Sequence, residues 1–332
     1  MTDPFVRPDT KMVLDLLAQQ EGPKMNEMPP AEARQVYVAL SQMLELEAGE
    51  LAVKRDLSIP GPAGDIPARL YDARESRGPS PVVTFYHGGG FVIGDLESHD
   101  ALCAEIARNL DIPVVAVDYR LAPEHPFPAA PDDCIAATRW IAESPAELGR
   151  QVTGLIPCGD SAGGNLTIVV SLALRDEPAA VPVIAQFPIY PATDMATQEG
   201  SMVEFAEGYL LEKQGMDWFT ESYAGDPEDW RANPSKADAA GLPPTVLITA
   251  SLDPLRDQGR AYAGQLIAAG VPTVYREAVG NIHGFANLRK MIPSSQADIA
   301  GCLAPLKLYI DEAVTSGQTA EAPAAGELEP AE

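Results

Sequence analysis

The 332-residue chain is strongly acidic, with 48 Asp and Glu residues against 23 Lys and Arg residues and a formal net charge of −25. Such a negative field repels nucleic-acid backbones and anionic lipid surfaces, so the chain is predicted to bind neither. Hydrophobic residues make up 46%, which excludes a wholly disordered chain and suffices for a large core. The length fits about two domains, or one large α/β domain with an appendage.

The cysteines and the apolar runs predict a cytoplasmic protein. The first residues, MTDPFVRPDTK, lack the basic start and apolar run of a signal peptide. The longest apolar stretch, Leu166–Leu174, is far shorter than the roughly 20 residues that cross a bilayer. No C-x-x-C spacing links the cysteines, so we expect no metal site and buried free thiols. The cysteines are Cys103, Cys134, Cys158 and Cys302.

The first 50 residues predict a helical segment. From Met12 to about Glu50, apolar residues recur every three or four positions, which indicates two amphipathic helices around the breaker-rich stretch Glu21–Pro30. We interpret residues 1–50 as a packed N-terminal layer or as part of a cap over a site.

From residue 51 the pattern changes to short strand-like runs that alternate with helical segments. The predicted strands are Leu51–Ile59, Ile66–Tyr71, Val82–Tyr86, Val114–Asp118, Leu155–Cys158, Val183–Phe187, Thr245–Thr249 and Thr273–Glu277. The predicted helices are His99–Leu110, Pro131–Ala142, Ala162–Arg175, Pro254–Ala269 and Ser295–Ala313. This alternation predicts an α/β fold with a mostly parallel sheet, and the short link Pro60–Asp65 predicts a hairpin at its edge.

Two further segments interrupt the alternation. About fifty residues, rich in methionine and aromatic residues, separate the strand ending near Pro191 from the one at Thr245, which is too long for a plain crossover. We predict a helical insertion at about 192–240 that joins the N-terminal helices in a cap. Residues 51–314 then form the catalytic domain, and the acidic tail, 315–332, is predicted to be disordered.

Two glycine motifs predict acyl-transfer chemistry. Gly159-Asp160-Ser161-Ala162-Gly163 lies between a strand and a helix, where a tight turn lifts the serine clear of the sheet and leaves room only for glycines. His87-Gly88-Gly89-Gly90-Phe91 follows another strand and can aim amides at an oxyanion. We assign the oxyanion donors to Gly89, Gly90 and Ala162. A phosphate cradle is the competing interpretation, but the phosphate-binding glycine patterns are absent from this sequence.

The base and the acid are assigned by position. Of the four histidines, His87 belongs to the glycine loop, His99 begins a helix and His125 lies among prolines, which leaves His283 just beyond the last strand. Asp253 follows the preceding strand on the same rim of the sheet, where it can orient the imidazole. Asp257, one helical turn later, is the alternative acid. The chain order Ser, Asp, His is that of α/β-hydrolases.

With these residues, the chain resembles the bacterial branch of the hormone-sensitive lipase family (family IV) of carboxylesterases. The shared segments are residues 87–91, 118–130, 159–165, 253–257 and 283–285. The resemblance implies an eight-stranded α/β-hydrolase core with a helical cap, and hydrolysis of short- to medium-chain esters without a cofactor. It matches Ser161, Asp253 and His283 to the triad, and the aspartate at 160 marks a subgroup.

The resemblance also bears on the pocket, the partners and the rival functions. It places Tyr190 near the pocket, and we expect Phe91, Tyr209 and Trp218 to shape it as well. Dimerisation through the last strand is common in the family and is an expectation here. Gln258 and Asn281-Ile282 depart from the family pattern without touching the triad. A non-catalytic small-molecule receptor, or a lactonase, amidase or deacetylase with the same triad, are the alternatives.

Overall fold

The structure is a computed structural model that describes residues 4–19 and 22–320. The strands are β1 (Val53–Gly61), β2 (Gly64–Asp72), β3 (Ser80–Tyr86), β4 (Val114–Val117), β5 (Val152–Asp160), β6 (Phe187–Ile189), β7 (Thr245–Leu252) and β8 (Thr273–Ile282). The α-helices in these residues are α1 (Pro8–Leu17), α2 (Pro30–Leu44), α3 (Asp100–Leu110), α4 (Ala129–Ala142), α5 (Ala162–Asp176), α6 (Ser201–Glu204), α7 (Lys213–Tyr223), α8 (Arg256–Ala268) and α9 (Ser295–Thr315).

The eight strands form one sheet in the order β1-β2-β4-β3-β5-β6-β7-β8. Strands β1 and β2 are an antiparallel hairpin, β2 is antiparallel to β4, and every later pairing is parallel. Helices cover both faces, and β5 is buried along its whole length, as expected for a central strand between two layers. The predicted α/β-hydrolase fold is confirmed.

The predicted elements agree with the structure except at one strand and at several boundaries. The sixth strand is Phe187–Ile189 rather than Val183–Phe187. Val183 forms only an isolated bridge to Leu155. A run of apolar residues marks a buried segment, but it does not show which of its residues join a continuous ladder. Strand β8 continues to Ile282, five residues past the predicted end.

The N-terminal helices begin where proline permits. Pro8 and Pro30 occupy the first turns of α1 and α2, where the missing amide is not needed for the helix. Helix α1 is therefore longer at its start than the apolar period from Met12 predicts.

The insertion contains α6 and α7 and contacts the N-terminal segment. A hydrophobic cluster joins Met25, Met28 and Tyr37 of the N-terminal segment to Trp218 and Phe219 of α7. The Lys24 ammonium also lies 2.6 Å from a Glu212 carboxylate oxygen.

The C-terminal segment is described only in part. Helix α9 ends at Thr315, and the amide of Ala320 donates to the carbonyl of Thr153 at 2.8 Å. The prediction of a disordered tail otherwise falls on residues 321–332, which lie outside the described residues. Among the helices of the described ranges, none is long and apolar enough to cross a membrane.

Candidate active site

The serine lies on a strained turn between β5 and α5. Ser161 has φ of 56° and ψ of −115°, a conformation that side chains rarely adopt and that exposes the hydroxyl at the end of the strand. A Cβ atom at Gly159 or Gly163 would overlap the carbonyl oxygen of Tyr86. The glycines at these two positions are therefore required by the close approach of β3, as the motif predicts.

The hydroxyl of Ser161 lies in hydrogen-bonding contact with His283. The distance from Ser161 Oγ to His283 Nε2 is 2.9 Å, and that from His283 Nδ1 to Asp253 Oδ2 is 2.8 Å. Asp253 is fully buried and also accepts the amide of Leu255 at 2.8 Å. The three side chains follow the carboxyl ends of β5, β7 and β8, which share one rim of the parallel sheet.

Asp257, the alternative acid, lies elsewhere. Its carboxylate accepts the amide of Ser201 at 2.9 Å and pairs with the guanidinium groups of Arg256 and Arg260. It fixes the start of α6 and makes no hydrogen bond to His283 in the described residues. The geometry therefore favours Asp253 as the partner of the imidazole.

The glycine loop follows β3 on the same rim. Gly89 and Gly90 have φ of 113° and 61°, which glycine adopts without strain. Within residues 4–19 and 22–320, the amides of Gly89, Gly90 and Ala162 donate no hydrogen bond. These donors are available to a ligand beside Ser161, which fits an oxyanion site.

Two titratable side chains beside the glycine loop, His87 and Asp160, are buried. Burial alone would raise the pKa of the Asp160 carboxyl, but His99, the Gly88 amide and His283 hold that pKa below its ordinary value. Burial, assisted by His99, lowers the pKa of His87 to about 4. The ring of His87 stacks on Tyr119, and its Nδ1 lies 2.8 Å from the Gly88 carbonyl oxygen, so Nδ1 carries the proton. A neutral His87 and an ionised Asp160 therefore support the loop.

The four predicted pocket residues occupy different places. Tyr190 is buried behind the triad, with its ring centroid 4.7 Å from that of His283. Phe91 stacks on Tyr223 at 3.8 Å and is 3% exposed. Tyr209 is half-buried against Phe205.

Trp218 lies in the cluster between α7 and the N-terminal segment, 5.0 Å from the ring of Phe219. Sequence reasoning overlooked Phe219, although a Cβ at Gly90 would overlap its ring. The aromatic pair at 218 and 219 was the available signal, but only the docking of α7 shows which ring lies on the loop. Sequence reasoning also overlooked His99 and Asn287, which contact Asp160.

A metal site is absent from the described parts of the chain: no group of three or more His, Cys, Asp or Glu side chains there could hold an ion. All four cysteines are buried and free.

Known proteins are similar to this chain in sequence and in fold. A family model described as the alpha/beta hydrolase fold matches residues 83–287. The carboxylic ester hydrolase LipN of Mycobacterium tuberculosis is 43% identical over 265 residues, which cover 77% of this chain and 70% of LipN. The ethyl acetate hydrolase of Pseudomonas putida is 33% identical over 294 residues, covering 86% of this chain and 92% of that protein.

A solved structure of an ester hydrolase is also similar to this chain. The ester hydrolase EH1AB1 from the metagenome of Lake Arreo, in complex with a derivative of bipyridine phosphonate, superimposes with a TM-score of 0.85 at 40% identity. The match covers 92% of this chain and 99% of that one. The chain therefore belongs to the α/β-hydrolase fold family and, within it, to the family IV carboxylesterases.

Proposed function

We propose that this carboxylesterase hydrolyses short- to medium-chain carboxylic esters through an acyl-enzyme on Ser161. The observation that carries the proposal is the unbroken line of hydrogen bonds from Ser161 Oγ through His283 to Asp253, at 2.9 and 2.8 Å. A serine hydroxyl becomes a nucleophile at neutral pH when a positioned base takes its proton.

The acylation step follows from this geometry. His283 Nε2 takes the proton of Ser161 as the oxygen attacks the ester carbonyl, while Asp253 stabilises the imidazolium that forms. The amides of Gly89, Gly90 and Ala162 donate to the oxyanion of the tetrahedral intermediate. The imidazolium then gives its proton to the leaving alcohol, which departs and leaves the acyl group on Ser161.

Deacylation uses the same residues. Water loses a proton to His283 and attacks the acyl carbonyl, and the same amides hold the second oxyanion. The imidazolium returns the proton to Ser161 as the carboxylic acid leaves.

The preference for small acyl groups is supported by the segments over the site. Phe219 lies against Gly90 and so narrows the space next to the oxyanion donors, and Trp218 packs beside Phe219. The printed name of the Pseudomonas putida relative, an ethyl acetate hydrolase, points to the same substrate class. Dimerisation through the edge strand β8 and a cytoplasmic location remain predictions.

The test is hydrolysis of p-nitrophenyl esters from acetate to dodecanoate, with Ser161→Ala beside the wild type. We expect turnover to peak at a short chain and to fall by at least about 10³-fold in the variant. A phosphonate ester should label Ser161 in the wild type and leave the variant unlabelled. A folded wild type that neither turns over any ester nor reacts with the phosphonate would contradict the esterase and favour the receptor alternative.

A further inference from the structure

One buried carboxylate contacts the segments on both sides of the candidate nucleophile. Asp160 precedes the nucleophile and is 3% exposed. Its Oδ1 accepts the Gly88 amide at 2.9 Å and lies 3.1 Å from His99 Nε2. Its Oδ2 lies 3.3 Å from both the Tyr190 hydroxyl and Asn287 Nδ2.

These partners belong to three separate segments. Gly88 directly precedes the oxyanion glycines, and a Cβ on it would overlap Oδ2 of Asp160. Tyr190 follows β6, and its ring is tilted against that of His283. Asn287 lies four residues beyond His283 on the loop that leaves β8. The carboxylate thus links the nucleophile turn to the oxyanion loop and to the His283 loop by side-chain hydrogen bonds.

The chemistry of the partners selects a carboxylate. The Gly88 amide, the Tyr190 hydroxyl and the Asn287 amide nitrogen are all donors here, and an ionised carboxylate only accepts. At comparable geometry, a hydrogen bond to an ionised carboxylate is about twice as strong as one to a neutral acceptor. An asparagine at position 160 would turn an NH₂ group toward some of these donors.

We propose that Asp160 is a positioning residue for ester hydrolysis: its buried carboxylate fixes the oxyanion loop and the His283 loop relative to Ser161. The inference rests on the function proposed above. Oxyanion donors lower the barrier only when they are held at the place where the charge develops. Loosening the loop therefore reduces kcat more than it weakens ground-state binding of the ester.

The decisive variant is Asp160→Asn, and the chain offers a matched control. Asp72 is also fully buried and accepts hydrogen bonds from Arg77 and Arg150, both at 2.9 Å. Asp72 is the last residue of β2, which is antiparallel to β4. It therefore lies near the amino ends of the parallel strands, whereas the candidate site lies at their carboxyl ends. Asp72→Asn thus removes a buried charge of the same kind away from the chemistry.

Steady-state kinetics on p-nitrophenyl acetate separate the two roles. We expect Asp160→Asn to lower kcat by about 10²-fold with KM changed less than about threefold. Asp72→Asn is expected to keep kcat within about twofold although its Tm falls. An Asp160→Asn enzyme with wild-type kcat, or an equal loss of kcat in Asp72→Asn, would overturn the inference.

A second readout reports on the oxyanion site itself. A trifluoromethyl ketone forms a hemiketal oxyanion on the serine, so its Ki should rise in Asp160→Asn by about the same factor as kcat falls. An unchanged Ki would overturn the positioning role. If Asp160→Asn fails to fold, Asn287→Ala removes one donor and leaves the carboxylate; we expect about a three- to tenfold loss of kcat, and wild-type kcat would contradict the proposal.

The two proposals fail differently. A wild type without turnover or phosphonate labelling sinks the esterase function, whereas an active wild type with an unaffected Asp160→Asn variant sinks only this inference.

Discussion

The rim of the sheet and the segments above it are built by different means. On the rim, Ser161 and His283 directly follow the last residues of β5 and β8, and the glycine loop directly follows β3. The polar groups around them are buried. Above the rim, α2 and α7 meet through a cluster of buried and partly buried apolar residues, and ion pairs join α2 to the core. Arg34 pairs with Glu124, and the buried Arg289 pairs with Glu45.

This difference separates chemistry from selectivity. Strand ends in a packed sheet hold side chains to fractions of an ångström, as acyl transfer requires. Residues of helices that make few contacts with the core can be substituted without displacing the strands. Substitutions in the overlying segments can therefore change the substrate specificity. The two regions touch where the ring of Phe219 lies on Gly90.

After Ser161→Ala, the largest effect is expected from Gly90→Ala, which disturbs the contact between Gly90 and Phe219. The new methyl group would overlap the ring of Phe219 at a backbone φ of 61°, so the loop must shift and its amides leave the oxyanion position. We expect kcat to fall by about 10²- to 10³-fold on p-nitrophenyl acetate, as for the loss of an oxyanion donor.

Gly208→Ala is the matched control for this change. Gly208 also has a positive φ, 82°, but a Cβ there has no neighbour within 4 Å. It shares the backbone strain and lacks the overlap, so kcat should stay within about threefold of the wild type. Equal losses in the two variants would show that strain alone, and not the contact with Phe219, explains the effect.

The second prediction concerns the pH dependence of stability on the rim. Burial lowers the pKa of His87 to about 4 from its ordinary 6.5, so the unfolded chain binds the proton first as the pH falls. The stability that His87 contributes is complete above about pH 6.5 and is lost between about pH 6.5 and 4, by about 3 kcal/mol in total.

Urea unfolding at pH 7.5 and pH 4.5 measures this loss. His87→Gln lacks the titration, so its free energy of unfolding should fall less than that of the wild type over the same interval. The exposed His125 supplies the control, since His125→Gln should keep the wild-type pH dependence. A His87→Gln protein with an undiminished pH dependence would contradict the buried neutral imidazole.

The smallest effect is expected above the rim. Trp218→Ala enlarges the apolar space beside Phe219, so the ratio of kcat/KM for p-nitrophenyl octanoate to that for acetate should rise about tenfold. Trp140→Ala, which removes a half-buried tryptophan from α4 on another face of the core, should leave the ratio unchanged. An unchanged ratio in Trp218→Ala would remove Trp218 from the pocket.

The strands and the candidate catalytic residues could be predicted from the sequence alone because their backbone conformations require particular residues at neighbouring positions. The turn at Ser161 needs glycines on both sides, the loop at Gly89 and Gly90 needs positive φ, and these demands leave a motif in consecutive residues. The alternation of strands and helices then puts the ends of β5, β7 and β8 on one rim, so Asp253 and His283 could be placed by position. The prediction of the sixth strand is wrong in its bounds because a hydrophobic run marks burial and does not show which of its residues pair with β5 and β7.

The tertiary structure decided what depends on residues far apart in the chain. Asp160 meets Asn287 across 127 positions, and Glu45 meets Arg289 across 244. The position of α7 in the folded chain places the ring of Phe219, and not that of Trp218, against Gly90. Such contacts leave no local pattern, because a buried carboxylate or an aromatic ring can satisfy its packing with many partners and only the folded chain selects one.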